Sequence, residues 1–173
     1  ALSAYAAADR YYEAALELSD DPHLGLAYGR SLGAGGPSSS DGRAEPVLAR
    51  AVPQLLALGD APAAAEGEML LGTAEWMRGQ RDAAGARFER AVALVADAPV
   101  SRAKVFVLSE AAKYEFLAGR AEAAIRLCEE LLPMVEELGL DDRVPDLLST
   151  LGSSRATLGD REGLALLEHA IAL

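Results

Sequence analysis

Leu71-Gly72-Thr73-Ala74-Glu75-Trp76-Met77-Arg78-Gly79-Gln80-Arg81-Asp82-Ala83-Ala84-Gly85-Ala86-Arg87-Phe88-Glu89-Arg90-Ala91-Val92 reads as the end of one helix, a glycine stop and the start of a second helix. Its landmarks recur. Gly79, Gly119 and Gly159 stand 40 residues apart, and seven residues before each lies a small residue: Gly72, Ala112 and Gly152. Leu71, Ala111 and Leu151 precede those. After the glycines, Ala84, Phe88 and Ala91 match Ala44, Leu48 and Ala51 upstream and Ala124, Cys128 and Leu131 downstream. Pro53 and Pro133 share one slot two repeats apart. A looser copy, Ala8, Tyr12, Ala15 and Leu16, opens the chain, and Gly163, Leu167, Ala170 and Ile171 close it after a turn one residue shorter.

Small and large residues at i, i+3, i+4 and i+7 form one face of a helix. A small residue where helices cross lets the backbones approach, while larger neighbours fill the grooves beside it. Glycine between the halves supplies the left-handed residue that ends a helix. Each unit is therefore expected to be two antiparallel helices, and stacking buries the faces that one pair alone leaves open. The prediction is an all-α, right-handed α-α superhelix of about four pairs, a single domain over 1–173. Asp20-Asp21-Pro22 and Asp60-Ala61-Pro62 read as helix starts. The expected helices span 2–19, 23–34, 43–59, 62–79, 81–97, 100–118, 120–139, 142–158 and 160–173, with a Gly/Ser-rich flexible loop at 33–42.

Composition narrows the function. Of 173 residues, 36 are Ala and 28 Leu, a mixture that favours helix over strand. Lys and Arg total 16 against 27 Asp and Glu, a net charge of -11, which argues against nucleic acid as a direct partner. One cysteine, Cys128, excludes a disulfide framework and a multi-cysteine zinc site, and its repeat slot predicts core packing. No basic-then-apolar leader and no run of 18 apolar residues is present, so a cytoplasmic protein without membrane attachment is expected. Ala1 opens inside a helical pattern and Leu173 closes inside another, which reads as a segment of a longer chain.

The order of a Leu-Gly pair, a glycine stop and then Ala, a large apolar residue and Ala resembles the tetratricopeptide repeat over nearly the whole chain. The period is 40 rather than about 34. Glu75, Glu115 and Arg155 stand where that family keeps an aromatic residue. Leu71-Gly72-Thr-Ala-Glu-Trp-Met-Arg-Gly79, Ala98-Pro-Val-Ser-Arg-Ala-Lys104 and Leu158-Gly-Asp-Arg-Glu-Gly-Leu-Ala-Leu-Leu-Glu168 are similar to the repeat region of large actinobacterial signalling ATPases. That resemblance implies a sensing role for an attached AAA/STAND-type ATPase, nucleotide cyclase or LuxR-type DNA-binding domain.

Nothing catalytic stands out, and no enzyme activity or cofactor is expected. His23 and His169 lie at opposite ends of the chain, too far apart in the array to share a metal. Gly33-Ala-Gly-Gly36 lacks the Gly-Lys-Ser/Thr of a phosphate loop. The remaining candidate is the concave surface lined by the first helix of each pair. Its predicted residues are Leu26, Arg30, Met69, Thr73, Trp76, Phe106, Ser109, Lys113, Phe116, Asp146, Ser149 and Ser153. Trp76 and Phe116 beside Arg30 and Lys113 would suit a protein or peptide segment, since aromatic and Arg residues dominate interface energetics. Packing of both rings between helices is the other reading. Two competitors stay open: a small effector in a pocket of roughly 300–1,000 Å3 lined by Trp76, Phe106 and Phe116, and a scaffold that forms homodimers through its uncapped ends.

Overall fold

The computed structural model describes residues 2–33 and 42–173, with side chains from Ala8 onward. Most of the expected loop at 33–42 lies outside the described residues. Nine α-helices and no strand occur among the described residues: α1 (Leu2–Leu18), α2 (Pro22–Gly33), α3 (Ala44–Ala57), α4 (Ala61–Met77), α5 (Arg81–Val95), α6 (Arg102–Leu117), α7 (Ala121–Glu137), α8 (Val144–Thr157) and α9 (Glu162–Ala172). A 3-10 turn, Asp141–Arg143, leads into α8. The chain divides into two compact units, Ala1–Ala98 and Pro99–Leu173.

The start and stop signals work as the sequence predicts. Asp60 caps α4 by accepting from the Ala63 amide at 3.1 Å, and the Ser101 hydroxyl accepts from the Lys104 amide at 3.3 Å to cap α6. Gly79, Gly119 and Gly159 all have φ near +80° (80°, 79° and 84°). Beyond each, the next amide reaches back to the carbonyl of the helix's last turn: Gln80 to Glu75, Arg120 to Glu115 and Asp160 to Arg155. This repeated wrap satisfies carbonyls that the helix end would otherwise leave unpaired. Gly59 and Gly139 close α3 and α7 in the same left-handed conformation.

Within unit 1 each helix packs on its neighbour in sequence, and α2 also touches α4. Leu26, Leu48, Val52, Leu55, Ala63, Ala64 and Leu71 form one buried cluster there. Within unit 2, α6 to α9 pack in sequence order and α6 also touches α8. The first helices thus lie side by side, α2 with α4 and α6 with α8. The small crossing residues are needed as expected. A Cβ on Gly72 would sit 2.6 Å from the Phe88 ring of α5, and one on Gly152 would sit 2.7 Å from the Gly163 carbonyl oxygen of α9. Pro53 and Pro133 lie inside α3 and α7, also as expected.

Candidate functional site

In unit 1 the predicted surface residues are mostly occupied with the fold. Arg30, exposed on α2, forms an ion pair with the buried Glu66 of α4 and so ties the two first helices together. Met69 is fully buried, and Leu26 nearly so, which corrects their placement on an exposed groove. The reason is geometric: α4 contacts α2, α3 and α5, so the Met69 face of the helix is covered. The Thr73 hydroxyl donates to the Met69 carbonyl at 2.9 Å. Trp76 is half-buried. Its ring lies 6.3 Å from that of Phe88 on α5, and the Arg81 guanidinium sits 3.9 Å from its centroid. The indole therefore takes part in the α4–α5 contact, where the ring's negative face holds the cation.

In unit 2 the predicted residues remain at or near the surface. Phe106, Ser109, Lys113 and Phe116 follow helical spacing along one stripe of α6. Both phenylalanines are half-buried, whereas Val105, Val107, Leu108, Ala111 and Ala112 carry the core contacts. Lys113 pairs with Glu110, and its ammonium lies 5.0 Å from the Tyr114 ring centroid. The Ser109 hydroxyl oxygen is buried without a hydrogen-bond partner among the described residues. On α8, Ser149 is exposed and Ser153 half-buried. Asp146, Ser149 and Ser153 sit 40 residues after Phe106, Ser109 and Lys113, so the two adjacent helices carry their stripes in register.

A network that the sequence reading passed over holds α4 to α5. Arg87 reaches Glu68 and Glu75 at 2.8 Å each, and Arg90 reaches Glu68 at 3.3 Å. Glu68 is buried, so removing either arginine leaves a carboxylate short of compensation. The signal was present as two acids in the otherwise small and apolar run Ala63-Ala-Ala-Glu-Gly-Glu-Met-Leu-Leu-Gly72. Glu75, Glu115 and Arg155, 40 residues apart, are all paired: Glu75 accepts from Arg87, Glu115 from Arg120, and Arg155 donates to Glu129 and Glu162.

His23 joins two helix starts. Its Nε2 lies 2.9 Å from Asp60 and its Nδ1 3.3 Å from Asp21. The bond to Asp60 raises the imidazole pKa above 6.5 despite slight burial, and Asp21 adds to it. Asp60 is held below 3.8 by the same bond and by the Ala63 amide. The His23 contribution is thus complete below pH 6.5 and disappears as pH rises through the folded value. The Asp60 contribution is present above 3.8 and disappears in acid. The His23 side chain is 51% exposed, so the effect is small and salt-sensitive. Raising the pH from about 5 to about 8 is expected to lower Tm slightly, and His23→Gln to remove most of that slope, as read by thermal melts across the pH series.

Cys128 is buried in α7, and burial pushes its thiol up to about 12, which leaves it an inert packing residue at neutral pH. No group of His, Cys, Asp and Glu suited to a metal occurs among the described residues. No described helix is long and apolar enough to cross a membrane. Two open clefts are present: about 340 Å3 beside Tyr28 and Val47 in unit 1, and about 410 Å3 beside Leu132, Pro133 and Val144 in unit 2. Neither is lined by Trp76, Phe106 or Phe116. Comparison with family models, curated proteins and solved structures gives no match for this chain.

Proposed function

We propose that this chain is a non-enzymatic interaction module whose first-helix surface binds a protein or peptide segment. The α6 stripe carries the reading: two half-buried rings, Phe106 and Phe116, flank Lys113, with the Asp146–Ser149–Ser153 stripe in register on α8. Aromatic side chains give large contact area at low entropic cost, and the flanking polar groups fix register. In this reading the helical pairs stack as a right-handed tetratricopeptide-like superhelix. Its role in a cytoplasmic signalling protein is to report partner occupancy to an attached ATPase, cyclase or DNA-binding domain, as the family resemblance implies.

The test is selection of peptides from a displayed random library on the immobilised chain, followed by affinity measurement on Phe106→Ala/Phe116→Ala. Retained peptides should bind the native chain and lose about tenfold or more in affinity to the double variant. A Tyr11→Ser control, altered at an exposed position on α1, should bind as the native chain does. Equal binding by the double variant at intact helicity, or no retained peptide, would contradict the proposal.

A further inference from the structure

Charge is distributed unevenly over the two stripes of unit 2. On α6 the Lys113 ammonium is bonded to Glu110, one turn earlier on the same helix, so this pair brings no net charge. On α8 the stripe carries Asp146, which is exposed and has no ion pair among the described residues. The nearest cation in sequence, Arg143, lies 3.6 Å from Asp142 instead. Asp146 is therefore the carboxylate that the stripes leave uncompensated.

The hydroxyls of α8 fall into two sets. Thr150, Ser154 and Thr157 donate to the carbonyls of Asp146, Thr150 and Ser153, at 3.1, 2.8 and 2.9 Å. The Ser149 and Ser153 hydroxyls make no such bond among the described residues, and they lie four residues apart on one face of the helix. Each can turn to the backbone of a bound segment, and neither distinguishes one charge from the other. Reading the charge is left to Asp146. Its slot on α6 is held by Phe106, 40 residues earlier, and the two helices are in contact. Packed helices lie about 8–10 Å apart, a distance that an extended segment covers in about three residues.

We propose that Asp146 is a specificity residue of this surface: it selects a partner segment that carries lysine or arginine within about three residues of the apolar side chain seated on Phe106. The inference rests on the peptide-binding reading of the α6–α8 stripes and adds to it the charge that the partner bears. The chain's net charge of -11 acts in the same direction, because it repels acidic segments before contact and draws basic ones. An acid in the first turn of α8 also favours the helix dipole, a role indifferent to any partner. Reversing the charges separates the two roles.

The experiment selects peptides from a displayed random library on the full chain and, in parallel, on Asp146→Lys. The native pool is expected to be enriched in lysine or arginine at one position, about three residues from an apolar one. The Asp146→Lys pool should lose that enrichment and gain aspartate or glutamate at the same position. A single selected peptide closes the cycle. With its basic residue replaced by glutamate, it should bind the native chain about fivefold or more weakly and recover on Asp146→Lys. A helix-dipole role alone would lower the melting temperature of Asp146→Lys and leave both pools alike. Asp146→Asn serves where Asp146→Lys does not keep its helicity: it should weaken binding of the basic peptide and leave that of its neutral analogue unchanged. Equal pools, or a native pool with no basic preference, overturn the assignment of Asp146 while the Phe106 and Phe116 site stands. Retention of no peptide by the native chain overturns both.

Discussion

Replacing Gly163 with alanine is expected to destabilise the α8–α9 pair by about 2–3 kcal/mol, as overpacking of a tight crossing does. The added Cβ would stand 2.5 Å from the Gly152 carbonyl oxygen and 2.6 Å from the Ala156 nitrogen. Both are helix backbone atoms, so relief requires the two helices to separate and gives up contacts along their length. Gly85 provides the internal control. It also lies in a second helix, but a Cβ there meets nothing within 4 Å. Gly85→Ala should stabilise by about 0.5–1 kcal/mol, the ordinary helical advantage of alanine over glycine. Urea unfolding at unchanged slope checks both, and a neutral Gly163→Ala would contradict the crossing geometry.

The second large effect is expected at Leu55. Its side chain is wholly buried in the cluster with Val52, Ala63 and Leu71, so Leu55→Ala should cost about 2–5 kcal/mol through lost burial and the cavity left behind. The next residue, Leu56, is 44% exposed on the same helix. Leu56→Ala should cost less than about 1 kcal/mol, because much of that side chain already faces water. A small difference between the two variants in urea midpoints would mean that α3 presents a different face to α4.

Much of the fold was legible because the repeat landmarks are backbone requirements. Gly79, Gly119 and Gly159 adopt the left-handed conformation that ends a helix, and Gly72 and Gly152 are small because another helix occupies the space. Such demands are written directly in residue type. The site was less legible because a stripe projected on one helix does not reveal what lies beside it. Met69 shares a slot with Ser109 and Ser149, yet it is fully buried where Ser109 is half-buried and Ser149 exposed. Trp76 was readable as either groove or packing, and the deciding contacts, Phe88 and Arg81, come from beyond the turn. Glu66 and Glu68 are buried carboxylates on α4. Only the approach of Arg30, Arg87 and Arg90 from other helices allows their burial.

If the first helices of unit 2 bind a partner segment, that segment should shield their backbone amides from solvent. Amide hydrogen exchange read by mass spectrometry, on the chain alone and saturated with a library-selected peptide, tests it most directly. Added protection is expected over Arg102–Leu117 and Val144–Thr157, with Ala44–Ala57 unchanged. Protection confined to unit 1, or no protection at saturation, would contradict it.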